Sequence, residues 1–165
     1  MATLFKTRGM KKEDWPSVRA IYEEGIKLDI AVFEKCCPPY EIWDAAHLKI
    51  CRYVITEDGA ITGWAALSPV SARAAYRGVA EVSLYITEAC RHRGLGARLL
   101  RKIIRESEKH GIWSLLAVVI ADNAFSVALC EKCGFRRIGR RERIAQDSGG
   151  RWRDTVMLEL RSNRL

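Results

Sequence analysis

Residues Arg91-His92-Arg93-Gly94-Leu95-Gly96 stand between two segments of different periodicity. The segment before them alternates like a strand, and the segment after them repeats its apolar residues every three or four positions, as a helix does. A helix start leaves backbone N–H groups unpaired, and glycine lets that backbone approach a phosphate closely. The stretch therefore predicts a phosphate-binding loop; a plain loop that needs glycine for its turn is the alternative. It matches neither the P-loop nor the dinucleotide fingerprint.

Hydrophobic patterns on both sides of the loop predict one domain over residues 1–165. Strands are predicted at residues 4–10, 52–57, 61–70, 79–87, 113–121, 135–145 and 152–160. Helices are predicted at residues 14–26, 40–50, 99–107 and 123–134. Asp14 is a predicted N-cap, and Asp58-Gly59 is a predicted hairpin turn. The order β-α-α-β-β-β-α-β-α-β-β predicts a three-layer α/β domain with a mixed sheet.

The composition indicates a soluble globular domain. Hydrophobic residues make up 48% of the chain and charged residues 29%. No apolar run approaches the roughly 18 residues that span a bilayer, and residues 1–12 lack the apolar core of a signal peptide. No membrane partner and a cytoplasmic location are therefore expected. Six cysteines are expected to stay reduced there, and Cys130-x-x-Cys133 lacks a second pair, so no metal is predicted.

The charge balance favours an anionic partner. The formal net charge is +8 and the pI is about 9.4, which suits nucleic acid or a multiply phosphorylated cofactor. A basic cluster suits either partner and is equally typical of a solvated strand face; it consists of Arg136, Arg137, Arg140, Arg141 and Arg143. Aromatic residues do not interleave with this cluster, so nucleic acid is disfavoured.

Two motifs together resemble the GNAT acetyltransferase superfamily. The loop Arg91-His92-Arg93-Gly94-Leu95-Gly96 is similar to its pyrophosphate loop, and Asn123-x-x-Ser126, followed by a helix that ends in Gly134-Phe135, is similar to its second signature. Further segments resemble the phosphinothricin and methionine sulfoximine N-acetyltransferase branch: residues 31–34, Trp43, Gly63-Trp64, Arg73-x-x-Tyr76, residues 78–86, Arg141-Glu142-Arg143 and Trp152-Arg153-Asp154-Thr155. The resemblance implies a mixed, mostly antiparallel sheet with a splayed central strand pair flanked by helices.

The resemblance also implies acetyl-CoA as the cosubstrate. In the family, the strand before the loop holds the cofactor's pantetheine arm through main-chain N–H groups, here those of Leu84, Tyr85 and Ile86. The loop is expected to hold the pyrophosphate with Arg91, His92, Arg93, Gly94, Leu95, Gly96 and Ala97. Asn123 and Ser126 are expected to bind the cofactor arm.

Three residues are candidates for catalysis. Glu81 is polar in an alternating strand and is the candidate general base that removes a proton from the attacking amine. The alternative is that Glu81 forms an ion pair with an arginine. For protonation of the departing thiolate, the family often has tyrosine and this branch often has histidine, where this chain has Cys130. The proton donor could be Cys130, Tyr85 or water, and the alternative for Cys130 is that it only packs in the core.

The branch implies a small amino acid as the acceptor. Phe33 and Glu34 are expected to line its pocket together with Glu81, and Arg73 and Tyr76 to bind its anionic groups. Family members often pair so that one chain closes the other's cleft, so a homodimer is expected. Two other functions stay open: acetylation of protein N-termini, peptides or other amines, and a basic nucleic-acid-binding or regulatory module without turnover.

Overall fold

The computed structural model describes residues 4–165 as a seven-stranded sheet with helices on both faces. The strands are β1 (Phe5–Gly9), β2 (Tyr53–Glu57), β3 (Ala60–Pro69), β4 (Val79–Ile86), β5 (Ser114–Ile120), β6 (Arg136–Gln146) and β7 (Trp152–Arg161). The helices are α1 (Trp15–Lys27), α2 (Tyr40–Ala46), α3 (Leu95–Lys109) and α4 (Ala124–Lys132). The predicted order of elements is confirmed. None of the helices within residues 4–165 is long and apolar enough to cross a membrane.

The sheet has the order β1-β2-β3-β4-β5-β7-β6. All neighbouring strands are antiparallel except β4 and β5, which run parallel. That parallel pairing covers only Val79–Glu81 against Ser114–Leu116. Beyond it the two strands part, although β4 stays paired with β3 and β5 stays paired with β7 to their ends. The mostly antiparallel sheet with a splayed central pair is therefore confirmed.

Two apolar clusters fill the space between the sheet and its helices. Val18, Ile21 and Tyr22 of α1 and Trp43 of α2 pack on Trp64 and its neighbours on one face. Leu99, Leu100 and Ile103 of α3 pack on the other face, together with Val127 of α4. Burial of these side chains is the main term that holds the helices on the sheet.

The alternation of β4 divides its side chains between these two layers. Val82, Leu84 and Ile86 contact the α3 layer. Tyr85 contacts the α1 layer: its ring is stacked on Trp64 at 4.9 Å between centroids and lies 5.0 Å from Tyr22. Glu81 shares the face of Tyr85, because alternate residues of a strand point the same way.

Turn residues adopt the backbone that their sequence predicts. Asp58 and Gly59 join β2 to β3 with φ of 48° and 93°, the left-handed pair that a tight hairpin needs. Gly94 precedes α3 with φ of 78°, a conformation that costs other residues about 1–2 kcal/mol.

Two local predictions need correction. Asp14 stands at the predicted N-cap position of α1, but its carboxylate accepts from Arg8 and from the N–H of Lys11, both at 2.7 Å, and not from the first turn of the helix. Helix α2 ends at Ala46 and does not reach residue 50. The Arg52 guanidinium binds the carbonyls of Asp44, His47 and Leu48 at 2.6–2.9 Å and so replaces the hydrogen bonds of a further turn.

Candidate active site

A cleft of about 570 Å³ opens where β4 and β5 part. Its walls are β4 from Glu81 to Tyr85, β5 from Ala117 to Ile120, the start of α4, and the loop before α2. The cleft brings together many of the predicted site residues: Phe33, Glu34, Glu81, Leu84, Tyr85, Asn123, Ser126 and Cys130.

The strand edges that face each other across the cleft have no strand partner there. After Glu81, β4 pairs only with β3, and after Leu116, β5 pairs only with β7. Each unpaired edge presents main-chain N–H and C=O groups that need a hydrogen-bond partner. The splay therefore provides a polar slot in an otherwise apolar sheet.

The predicted phosphate loop leads from this slot into α3. Thr87, Cys90, Arg91 and Arg98 donate their N–H groups to backbone carbonyls. Within the described chain, no such acceptor is found for the N–H groups of residues 92–97. These groups lie at the start of a 15-residue helix, where the helix dipole adds partial positive charge. The segment is thus an anion-binding arrangement of main-chain donors.

The arginines of this loop contribute less charge to it than the sequence suggests. The guanidinium of Arg93 turns back to Glu57, with N–O distances of 2.9 and 2.5 Å. Arg91 donates from Nε to the carbonyl of Ile86 at 3.2 Å and lies 4.0 Å from Glu24. Both side chains therefore brace the loop against neighbouring elements, and an anion would meet chiefly main-chain groups there.

Gly96 has a packing role in addition to the predicted binding role. A Cβ atom at this position would lie 3.1 Å from Leu129 of α4 and 3.7 Å from Leu84 of β4. The first turn of α3 can approach both elements only because this side chain is absent. The close approach brings the open N–H groups to the end of the slot.

The start of α4 forms another wall of the cleft. Oδ1 of Asn123 accepts the N–H of Ser126 at 3.2 Å, which caps the helix. The amide NH₂ of Asn123 remains as a donor beside the slot. Phe125 is 73% exposed and contacts His92 edge to face at 4.7 Å. The predicted cofactor residues 91–97 and 123–126 are thereby brought together.

Glu81 is the titratable residue at the narrow end of the cleft. It is the last residue of β4 that pairs with β5, and on β3 it pairs with Ser68. Burial raises the pKa of Glu81 above its ordinary 4.5, Arg141 lowers this pKa, and Glu34 raises it. In residues 4–165, no lysine or arginine nitrogen lies within the 4.0 Å of an ion pair with this carboxylate. Glu81 therefore retains a free carboxylate, as a general base requires.

The two candidate proton donors are both weak acids. Burial raises the pKa of Cys130 to about 12 and raises the pKa of Tyr85 well above 10. The Tyr85 ring also has a structural role, because a Cβ atom at Gly25 would lie 2.8 Å from it. Both side chains line the cleft, but their environments favour the protonated form strongly.

The loop that carries Phe33 and Glu34 is held by the turn between β6 and β7. Asp29, with φ of 58°, accepts from Ser148 at 2.6 Å and lies 3.8 Å from Arg151. Asp147 is buried inside that turn and accepts from the N–H groups of Gly149 and Arg151, each at 3.0 Å. A turn at the far edge of the sheet thus positions one wall of the cleft.

Arg73 and Tyr76 lie outside the cleft. They belong to the short 3₁₀ segment between β3 and β4, and both are exposed, Tyr76 by 44%. Neither lines the cleft of its own chain. Their assignment to the acceptor site stays a prediction, and it requires a second subunit.

Three further side chains line the acceptor end of the cleft. Trp43 and His47 stack at 4.3 Å between ring centroids, and Nδ1 of His47 donates to the Trp43 carbonyl at 2.7 Å. Burial lowers the pKa of His47, which favours the neutral imidazole. Ser68 reaches the cleft beside Glu81. Ser68 could have been found from the sequence, because it is a hydroxyl residue in an otherwise apolar strand. No sequence signal points to His47, because the helix predicted over residues 40–50 includes it as an ordinary helical residue.

The fold and the cleft can be compared with known proteins. The family model described as the acetyltransferase (GNAT) family matches residues 15–135. The chain belongs to this family. The GNAT match covers both the glycine loop and the helix that Asn123 caps. Membership identifies this chain as an N-acetyltransferase and disfavours the non-enzymatic alternative.

Relatives of this GNAT acetyltransferase include amino-acid acetyltransferases. YwnH of Bacillus subtilis, provisionally named a phosphinothricin acetyltransferase, is 35% identical over 84% of this chain and 88% of that protein. The L-methionine sulfoximine/L-methionine sulfone acetyltransferase of Pseudomonas paraeruginosa is 26% identical over 89% of this chain and 88% of that protein. The GNAT phosphinothricin acetyltransferase of Sinorhizobium meliloti, solved with AcCoA, shares the fold with a TM-score of 0.85. The two are 24% identical, and the match covers 95% of this chain and 88% of that chain.

The basic cluster of the GNAT domain is mostly neutralised. Arg136 pairs with Glu159 at 2.7 Å, Arg137 with Glu131 at 2.6 Å, and Arg140 with Asp154 at 2.6 Å. A row of paired arginines offers little free charge to a polyanion. The interpretation as a solvated strand face is thus favoured for these three residues.

Proposed function

We propose that this GNAT enzyme transfers acetyl from acetyl-CoA to the α-amine of a small amino acid or analogue, of the phosphinothricin or methionine sulfoximine type, by direct attack of the amine on the thioester. The observation that carries the proposal is the position of Glu81. Its carboxylate is free of cationic partners in residues 4–165 and stands where the slot begins. A carboxylate at this position can remove a proton from an amine that attacks a thioester bound in the slot.

The residues present fit acetyl-CoA. The open edge of β4 from Leu84 to Ile86 offers main-chain groups to an amide-rich arm. The N–H groups of residues 92–97 offer a pyrophosphate site, and Asn123 and Ser126 line the cleft where they would hold the arm. Acetyl-CoA supplies the activated acyl group as a thioester. A main-chain N–H of β4 directed at its carbonyl stabilises developing negative charge by about 3–4 kcal/mol.

Glu81 takes the proton of the attacking amine. An amine attacks only in its neutral form, so the base must remove a proton before or during attack. Glu81 accepts it directly or through one water, and the carboxylate of Glu34 favours an incoming cationic amine electrostatically. The role requires ionised Glu81; burial raises the pKa of this carboxyl, and the nearby Arg141 lowers it and so favours the ionised form.

The thiolate of CoA leaves as the anion and takes up a proton from the solvent afterwards. An ordinary thiol has a pKa near 8.5, so proton transfer from Cys130, at about 12, is uphill by roughly three pKa units. Tyr85 has the same disadvantage. Cys130 is then an apolar packing residue in α4.

The acceptor lies between the loop of Phe33 and Glu34 and the strand of Glu81. Arg73 and Tyr76 reach its polar end from a second subunit, because they lie outside the cleft of their own chain. A homodimer and a cytoplasmic location are part of this proposal. The named activities of the relatives support the class of acceptor.

A screen of acceptors tests the function. Thiol release from acetyl-CoA is followed with free amino acids, phosphinothricin, methionine sulfoximine and sulfone, N-terminal peptides and polyamines. Turnover that is fastest with the amino-acid analogues is expected. Preference for peptides or polyamines would replace the proposed acceptor class with another one of the same enzyme family.

A further inference from the structure

We propose that Arg141 binds the α-carboxylate of the acceptor from within the same chain, while Glu81 receives the acceptor's amine. The inference rests on the proposed function and identifies a specificity residue for it. It assigns the carboxylate to a residue on β6 and leaves the partner subunit's Arg73 for the side-chain end of the acceptor.

Strand register places Arg141 on the face of the sheet that carries Glu81. Glu81 pairs with Leu116 of β5, and side chains of paired residues point to the same face. Ile120 shares that face with Leu116, because alternate residues do. Ile120 pairs with Thr155 of β7, and Thr155 pairs with Arg141 of β6. Arg141, Thr155 and Ile120 thus form one row across the sheet.

This row ends at the cleft. Ile120 is one of its lining residues. Arg141 reaches along the row, because its Nε donates to the Thr155 hydroxyl at 3.2 Å. Thr155 is 1% exposed, so this anchor is fixed in the packed sheet. Helix α1 packs on β3 and β4, and the row lies on the other half of the face, on the side of β5.

Arg141 and Arg143 differ from the other three arginines of the basic cluster in having no carboxylate partner within residues 4–165, and the Arg143 guanidinium lies over the Trp152 ring instead. Arg136, Arg137 and Arg140 each pair with a carboxylate. The only hydrogen bond of the Arg141 side chain within residues 4–165 is the bond from Nε, so both terminal nitrogens are available as donors. Two parallel donors are the arrangement that binds a carboxylate bidentately.

The charges around Glu81 are consistent with this arrangement. Arg141 lowers the pKa of Glu81, so its guanidinium lies within electrostatic reach of that carboxylate. The amine and carboxylate of an α-amino acid are attached to one carbon atom. Their binding sites must therefore be close together, with Glu34 and Glu81 favouring the cation and Arg141 favouring the anion.

Steady-state kinetics with two matched acceptors test the inference. The acceptors are methionine sulfone and the corresponding amine that lacks the carboxylate. Arg141→Gln is expected to raise KM for methionine sulfone by about ten- to a hundredfold, since a charge-assisted hydrogen bond is lost. KM for the amine and for acetyl-CoA is expected to change by less than about twofold.

Two further variants separate a specific contact from general charge. Arg141→Lys keeps the charge without the paired donors and is expected to recover only part of the affinity. Arg143→Gln is the matched control: it removes the same charge from β6, where Arg143 lies 5.6 Å from the Trp152 ring, and is expected to leave KM unchanged.

The outcomes distinguish the two proposals. A normal KM for methionine sulfone in Arg141→Gln, with a raised KM in Arg73→Ala, overturns the inference and assigns the carboxylate to the partner subunit. Equal rises in KM for the amino acid and the amine also overturn it, because the carboxylate is then not the group recognised. Absence of turnover with every amino acid in the wild type refutes the proposed function and this inference together.

Discussion

The proposed cofactor side of the cleft is built from main-chain groups, whereas the proposed acceptor side is built from side chains. Residues 84–97 and 123–126 form the proposed cofactor side and offer N–H groups of a strand edge and of helix starts. Phe33, Glu34 and Glu81 line the proposed acceptor side, and Arg141 is proposed to reach it from β6. Main-chain donors tolerate many sequences, so a family can keep one cofactor while its acceptor side changes.

Loss of the base tests the acceptor side most severely. Glu81→Gln keeps the size and hydrogen bonding of the side chain and removes its basicity. We expect kcat to fall by about 10²–10⁴, with Kd for CoA unchanged. Thiol release gives kcat and calorimetric titration with CoA gives Kd. A loss of less than about tenfold would mean that Glu81 is not the base.

The pH dependence adds a second test of the same residue. Activity is expected to fall on the acidic side as Glu81 is protonated, with a midpoint above the ordinary 4.5 because burial raises the pKa. Arg141 lowers this pKa and Glu34 raises it, so Arg141→Gln should move the midpoint to higher pH and Glu34→Gln to lower pH. Shifts of kcat/KM in the opposite directions would contradict these electrostatics.

On the cofactor side, Gly96→Val is expected to have the next largest effect. The added side chain meets Leu129 and Leu84, and overpacking of this kind costs about 1–3 kcal/mol. The displaced helix start should raise Kd for CoA about five- to a hundredfold without changing the relative rates among acceptors. A change in acceptor preference would mean that the two sides are not independent.

A smaller effect is expected from Asp147→Asn, which loosens the turn that holds the acceptor loop. Burial alone would raise the pKa of Asp147, but hydrogen bonds from Arg151 and Arg153 lower it to about 2 from 3.8. The carboxylate therefore stabilises the fold at neutral pH, and this contribution is lost as the pH falls from about 4 towards 2. The variant should have a lower Tm at pH 7 and a higher KM for the acceptor, with KM for acetyl-CoA unchanged.

Cys130→Ala is expected to have the smallest effect. A thiol with a pKa of about 12 is a poor acid, so kcat should stay within about twofold of the wild type. Steady-state thiol release at pH 7 and 8 measures this. A larger fall in kcat, in a variant that still binds CoA normally, would restore Cys130 as the proton donor.

The sequence was most informative where a feature depends on neighbouring residues. Alternation in residues 79–87 predicted both faces of β4, and Gly94 predicted the turn into α3. The hydrogen-bond partners of Asp14 and the end of α2 were predicted wrongly, because Arg8 and Arg52 supply partners that local patterns cannot show. The row from Arg141 to Ile120 depends on strand register, and the proposed role of Arg73 depends on a second chain.

The short parallel contact between β4 and β5 also bears on how the cleft can move. Glu81 and Leu116 are its last pair, so they form the vertex of a wedge. Rotation of one strand about a vertex displaces each residue in proportion to its distance from that point. A change in the angle between β4 and β5 would therefore displace Ile86 and the loop that follows it most, and Glu81 least. A widening of the cleft at its open end would therefore leave the proposed base, Glu81, nearly in place.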